Sequence, residues 1–95
     1  MIIVSQDKTK IVNFDNLTQI YITQDEEKTA TFIRYETVDS LYDDLGEYKT
    51  EERAKEVLQE IVKATIETRK SQELNNLFGG AGIIPSNTYC EMPED

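Results

Sequence analysis

Short runs of apolar residues separated by polar stretches fill the first half of the chain and predict β-strands. Apolar runs at 2–4 and 11–14 enclose a polar stretch, a pattern typical of a hairpin. Residues 17–23 and 29–37 enclose an acidic turn and are rich in β-branched and aromatic side chains, so they give the stronger hairpin prediction. Residues 38–48 mix apolar and acidic positions, which suits a strand or an irregular turn equally, and we interpret them as a short edge strand.

The hydrophobic period changes after residue 50 and predicts one long helix over residues 50–75. Thr50 can serve as the N-cap, and Glu51 and Glu52 place negative charge in the first turn, where the helix dipole favours it. Apolar and small positions recur every three or four residues, as expected for a helix that packs one face on a sheet. This stripe consists of Ala54, Val57, Leu58, Ile61, Val62 and Thr65.

Glycines at 79, 80 and 82 end the helical pattern, and residues 79–95 are predicted to form a loop followed by a short extended tail. The apolar residues of that tail need cover from this subunit's sheet or from a neighbouring subunit. The predicted fold class is α+β. An N-terminal antiparallel sheet of four to five short strands, the β-meander 1–48, is packed by one long C-terminal helix, and residues 1–95 form a single domain.

The composition narrows the classes of partner. Nineteen acidic residues against ten basic ones and no histidine give a formal net charge of −9, which disfavours binding to duplex nucleic acid. A single cysteine cannot form an intrachain disulfide, in keeping with a reducing cytoplasm. No apolar run approaches the roughly 20 residues that span a bilayer, and the first residues do not resemble a secretion signal. We therefore expect a cytoplasmic protein with no membrane partner.

Catalytic chemistry is not predicted. Without histidine, the common Ser/His and Cys/His nucleophile pairs cannot form, so we expect no enzyme, no catalytic residue and no cofactor. Asp39, Asp43 and Asp44 are the tightest acidic group, but they lack the spacing of a calcium loop. A solvated acidic edge that discourages strand pairing is the favoured interpretation, and no metal site is expected. Cys90 is interpreted as a small buried apolar residue.

A possible anion-binding site lies along and after the helix. Arg69 could contact a phosphate, although it could equally complement the helix dipole and pair with Glu73. Phe78 offers a flat apolar surface next to glycines, and Asn87 could hydrogen-bond a base edge, whereas core packing and turn bonding are the ordinary alternatives. The candidate ligand-binding residues are Phe78, Asn87, Arg69, Thr88, Tyr89 and Arg53.

Four segments resemble a family of short proteins from Firmicute bacteria and their phages. These segments are IVSQD at 3–7, IVNFDN at 11–16, LGEYKTEERA at 45–54 and MPE at 92–94. The order of sheet, long helix and glycine-containing segment is also similar to the phage sponge proteins of the Thoeris anti-defence one type. Those proteins are oligomers that sequester cyclic nucleotide signals made by bacterial immune systems.

The resemblance implies binding without turnover by a homo-oligomer. Phe78 matches the aromatic residue that stacks on adenine, Asn87 matches the amide on the ligand's polar edge, and Arg69 matches a phosphate contact. The expected function is then a phage-encoded protein that sequesters a cyclic ADP-ribose isomer or a cyclic oligonucleotide and inhibits anti-phage defence. The alternative is a small acidic protein-interaction module that docks on a host protein, since residues 1–48 hold most of the acid excess.

Overall fold

The computed structural model describes the backbone of residues 1–77 and 89–95 and the side chains of residues 1–69 and 90–95. Within these residues the chain has an α+β fold of two three-stranded sheets and one helix. The strands are β1 (Ile2–Val4), β2 (Ile11–Asn13), β3 (Leu17–Gln24), β4 (Thr31–Thr37), β5 (Tyr42–Tyr48) and β6 (Tyr89–Glu91). The helix α1 spans Glu51–Leu77, and a single 3-10 turn, Phe14–Asn16, connects β2 to β3.

The first sheet has the order β2-β1-β6 and joins the two ends of the chain. β1 and β2 form the predicted antiparallel hairpin, with Ile3 opposite Val12. β6 pairs with β1 in parallel, which places Cys90 opposite Ile3. The amide of Met92 continues this ladder by donating to the Val4 carbonyl oxygen at 3.0 Å. The tail is therefore a structural strand covered by this subunit's own sheet.

The second sheet is an antiparallel meander with the order β3-β4-β5. β3 and β4 form the stronger predicted hairpin, in a register that places Ile22 opposite Ile33. Asp25 holds its turn, because one carboxylate oxygen accepts from the amides of Thr29 at 2.6 Å and Ala30 at 3.1 Å. These bonds and one from the Thr29 hydroxyl lower the pKa of Asp25. β5 is the predicted edge strand, and the residues before it form a turn.

Helix α1 begins as its sequence predicts and lies across both sheets. The Thr50 hydroxyl oxygen accepts from the amide of Arg53 at 3.1 Å, which is the expected N-cap bond. The helix packs on β3, β4, β5 and β6. Among the described side chains, the buried core consists of Ile3, Ile33, Leu45, Tyr48, Ala54, Val57, Ile61 and Met92. Since these residues come from both sheets, the helix and the tail, a single core holds the fold together.

Tyr48 links the core to the tail. It is only 3% exposed, and its hydroxyl donates to the Pro93 carbonyl oxygen at 2.8 Å. Burial disfavours the phenolate and raises the pKa of Tyr48 to about 12. The tail after β6 is thus fixed by a backbone bond on one side and by a buried side chain on the other.

Three features differ from the sequence predictions. The strands do not form one N-terminal sheet of four to five strands, since β1 and β2 leave the meander and pair with β6 instead. The helix is not the C-terminal element, because a strand follows it in the chain. Val62, predicted to face the sheet, is 48% exposed, because α1 lies over the sheet chiefly through Ala54, Val57 and Ile61.

Truncating Met92 tests whether the tail is part of the core. Met92 is 1% exposed, so Met92→Ala should lower the free energy of unfolding by about 2–5 kcal/mol. Ile11→Ala is the matched control, because Ile11 is 70% exposed on the neighbouring β2 and should cost less than about 0.5 kcal/mol. Urea unfolding followed by circular dichroism measures both. Equal stability of the two variants would show that the tail does not pack in the core.

Candidate functional site

An apolar groove runs between the edge strand β3 and helix α1. Its volume is about 450 Å³, which falls within the range of small-molecule sites. Leu17 and Ile20 form one wall, and Val62 and Ile66 form the other. The remaining lining residues are Phe14, Thr18, Gln19, Leu58, Gln59, Ile61, Thr65 and Arg69. The groove therefore offers an apolar surface with amides, hydroxyls and one guanidinium group around it.

An irregularity in β3 shapes the sheet wall of the groove. The register with β4 shifts between Leu17 and Gln19, so Thr18 is an extra residue in the strand. The Thr18 hydroxyl donates to the Glu36 carbonyl oxygen at 3.2 Å, and the Gln19 amide donates to the Glu36 carboxylate at 2.5 Å. Four consecutive β3 residues line the groove as a result, whereas a regular strand presents alternate residues to one face.

The helix wall of the groove is unusually exposed for aliphatic side chains. Val62 is 48% and Ile66 is 49% exposed, and they lie four residues apart on the same side of α1. The sequence pattern places Val62 in the stripe that faces the sheet and assigns no role to Ile66. The exposure of these two side chains is therefore a feature that the pattern alone does not reveal. These two residues make the groove an unfilled apolar surface in the described part of the chain.

Arg69 supplies the cationic group of the groove. It also lines a smaller hollow of about 130 Å³, together with Phe14, Asp15 and Thr68. Arg69 is exposed, and no hydrogen bond or ion pair joins it to another residue within residues 1–69 and 90–95. The guanidinium group can therefore bind an anion that enters the groove without first breaking an ion pair.

Two bases near β4 and β5, Arg34 and Lys10, are already paired with acids. Arg34 donates to the Asp44 carboxylate at 2.7 Å and lies over the Tyr42 ring at 5.0 Å from its centroid. The Asp44 carboxylate raises the pKa of Arg34. Lys10 is 3.1 Å from the Asp43 carboxylate, which raises the pKa of Lys10. Because these bases are neutralised by their partners, the face of β4 and β5 is a poor site for an anion.

Arg53 lies in a different place from Arg69. Sixteen helical positions at about 1.5 Å each separate the two arginines by roughly 24 Å along the axis. Arg53 donates to the Asp95 carbonyl oxygen at 2.7 Å and to the Glu56 carboxylate at 3.1 Å. It lines a hollow of about 790 Å³ beside the start of α1, where Glu47, Glu94 and Asp95 face two bases, Lys49 and Arg53. The acids make this larger hollow less suited to an anion than the groove.

The other predicted ligand-binding residues belong to the last part of the chain. Phe78, Asn87 and Thr88 lie outside the described residues. Tyr89 begins β6 and its backbone pairs with Ile2, whereas its side chain lies outside the described part. The structure therefore brings Arg69, but not Arg53, to the groove.

The remaining chemical features are the Cys90 thiol and the side chains that could bind a metal ion. Cys90 is half-buried, and burial raises the pKa of its thiol, so the protonated, unreactive form is favoured. Among residues 1–69 and 90–95, no three His, Cys, Asp or Glu side chains are placed to hold a metal ion. The same part of the chain has no helix with the length and apolar character needed to cross a membrane.

Comparisons with known proteins give no relative: no protein-family model matches the chain, and neither the curated proteins nor the solved structures contain a significant match. The function is therefore inferred from the geometry of the groove.

Proposed function

We propose that this chain is a phage-encoded binding protein that sequesters a nucleotide-derived immune signal in the host cytoplasm without turnover. The signal would be a cyclic ADP-ribose isomer or a cyclic oligonucleotide, and its capture would inhibit anti-phage defence. The observation that carries the proposal is the apolar groove lined by Arg69, which has no ion-pair partner among residues 1–69 and 90–95. The groove matches a ligand that has a flat base and an anionic phosphate.

The apolar walls would bind the base. Leu17, Ile20 and Val62 present aliphatic surface, and burial of apolar area contributes about 25 cal/mol for each Å². Gln19 and Gln59 add amide donors and acceptors that can satisfy a base edge. The resemblance adds Phe78 on the base and Asn87 on its polar edge, and Thr88 and Tyr89 would supply further donors and acceptors for that edge.

Arg69 would bind the phosphate. A hydrogen bond to a charged group contributes about 1.5–3 kcal/mol, more than a neutral one, and a guanidinium group can contact two phosphate oxygens at once. The net charge of −9 overstates the repulsion that an anion meets in the groove, because charges more than roughly 8 Å from the anion are screened at physiological salt. An acidic protein can thus hold an anion through one local cation.

The polar groups of the groove favour binding over chemistry. They are two threonines, two glutamines and one arginine, and none of these belongs to the residue types that usually serve as general acids or bases. Such groups hold phosphates and bases in place. This composition supports capture of an intact ligand.

Ligand release after denaturation tests the proposal. The protein is incubated with a panel of cyclic ADP-ribose isomers and cyclic dinucleotides, separated from free ligand and heat-denatured, and the supernatant is analysed by mass spectrometry. We expect one intact ligand to be recovered. Arg69→Ala should weaken its affinity roughly 10- to 100-fold in a calorimetric titration, whereas Lys63→Ala, an exposed base outside the groove, should not. Cleaved ligand, or no uptake across the panel, would refute the proposal.

A second candidate function is an acidic protein-interaction module, and one surface favours it. At the turn between β4 and β5, Val38, Leu41 and Tyr42 are 70%, 67% and 64% exposed. Asp39 and Asp43 lie beside them in the chain. An apolar patch with acids at its rim is typical of a site that docks on a basic protein surface.

Capture from a bacterial lysate separates the two functions. Leu41→Ser should abolish retention of a host protein, and Ile11→Ser, which changes an equally exposed residue elsewhere, should leave it intact. Glu26→Lys with Glu27→Lys should weaken retention at low salt. Asp25 is left unchanged, because it holds the β3–β4 turn. Retention that is the same for the Leu41 and Ile11 variants would contradict this candidate.

A further inference from the structure

The four edges of the two sheets differ in how open they are. β2 and β6 are edges of three residues each, too short to support a stable strand pair alone. β5 is longer, but Gln6 covers its outer edge: the Gln6 amide donates to the Leu45 carbonyl oxygen, and the Gln6 side chain bonds both backbone groups of Glu47, all at 2.8 Å. The remaining edge, β3, is eight residues long.

The outer edge of β3 is open within the described part of the chain. Apart from its bonds to β4, no hydrogen bond reaches the backbone of residues 18–24 from any described residue. An edge strand leaves every second backbone donor and acceptor unpaired, and proteins usually protect such an edge with charges, prolines or a covering segment. β3 has the sequence LTQIYITQ, which contains neither a charged residue nor a proline.

The absence of charge distinguishes β3 from β5, the other edge of the same sheet. β5 carries Asp43, Asp44 and Glu47, and pairing two copies through it would set like charges against one another. In a chain of net charge −9, the neutral β3 is the edge through which two copies meet with the least repulsion.

We infer that two copies of this chain pair through antiparallel β3 strands, with Tyr21 on the twofold axis, to form a continuous six-stranded sheet. This register is self-complementary. It sets Ile20 opposite the partner's Ile22, Gln19 opposite the partner's Thr23, and Thr18 opposite the partner's Gln24, so each pair joins side chains of like polarity. Centring the pair on Ile20 instead would set Thr18 opposite an isoleucine.

The same pairing brings a strand of the partner beside the groove. An antiparallel pair related by a twofold axis perpendicular to the sheet keeps both helices on one face of the joined sheet. The partner's β3 then lies beside the groove, where Val62 and Ile66 are half-exposed. The contact is isologous, because the same surface serves both copies.

This dimer goes beyond the proposed function, since it rests on the strand edge and needs no ligand. Light scattering on the purified, ligand-free chain tests it. We expect a mass near twice the monomer mass of 10.9 kDa, falling to the monomer on dilution. A monomer throughout the micromolar to millimolar range would overturn the inference, and so would an assembly whose mass is insensitive to the β3 variants below.

Charge pairs test the register. Gln19→Lys with Thr23→Lys places a lysine opposite a lysine at two positions of the interface. The repulsion should raise the dimer dissociation constant about tenfold or more. The two lysines also reduce the net negative charge of the chain, which by itself would favour association. A weaker dimer would therefore be due to the lysine pairs and not to the change in net charge. Gln19→Lys with Thr23→Glu sets lysine opposite glutamate and should restore dimerisation. Circular dichroism confirms that both variants fold.

A disulfide tests the position of the axis directly. In a Cys90→Ser background, Tyr21→Cys places two cysteines opposite each other on the twofold axis, about 4.5–5.5 Å apart at the Cα atoms, within reach of a disulfide. Mild oxidation should cross-link this variant completely and leave Tyr42→Cys, an exposed position on β5, largely monomeric. Equal cross-linking of the two variants would overturn the pairing. Loss of ligand capture with the dimer intact would refute only the proposed function.

Discussion

The side chain of Gln6 joins the parts of this fold that the sequence keeps farthest apart. Its carboxamide donates to the carbonyl oxygens of Glu47 and Glu94 and accepts from the Glu47 amide, each at 2.8 Å. All of its donors and one acceptor are therefore used. The lack of a side chain at Gly46 lets β5 approach Gln6, because a Cβ there would lie 3.0 Å from the Gln6 Cβ and 3.1 Å from the Tyr48 ring. One residue thus bonds the β1–β2 turn to β5 and to the tail.

This arrangement decides which surfaces remain open. With the outer edge of β5 covered and β6 paired to β1, Met92 and Tyr48 enter a common core beneath the helix. The opposite side of the second sheet, where β3 meets α1, has no such cover in the described residues. The groove, the free arginine and the uncharged strand edge all lie on that side, which is why both proposals concern it.

Local patterns in the sequence predict much of the fold. Thr50 followed by two glutamates marks the start of the helix, and the β-branched runs around the Asp25 turn predict the strands of the β3–β4 hairpin to within two residues at each end. The parallel pairing of β1 with β6 could not be predicted in this way, because its partners are separated by almost the whole chain and leave no periodic signal. A tail of three strand residues is indistinguishable from an extended loop until its neighbour is known.

The candidate site was harder to predict than the fold. Val62 fits the helical stripe as well as Ile61 does, and only the position of the helix on the sheet determines that one is exposed and the other buried. Arg53 and Arg69 look alike in sequence, yet Arg53 is bonded to the tail, whereas Arg69 lies beside the groove with no partner among the side chains that the structure describes. Gln6 gave no signal at all, since a glutamine in a polar turn is ordinary until its hydrogen bonds are seen.

Amide hydrogen exchange of Glu47 and Met92 in Gln6→Ala tests most directly whether Gln6 holds the β1–β2 turn, β5 and the tail together. Glu47 donates to the Gln6 side chain, and Met92 donates to Val4 in the strand ladder beside it. Gln24→Ala, which removes a side-chain bond to Thr31 elsewhere, is the control. We expect Gln6→Ala to speed hydrogen exchange at the amides of Glu47 and Met92, and Gln24→Ala to change neither rate. Unchanged protection of both amides in Gln6→Ala would contradict it.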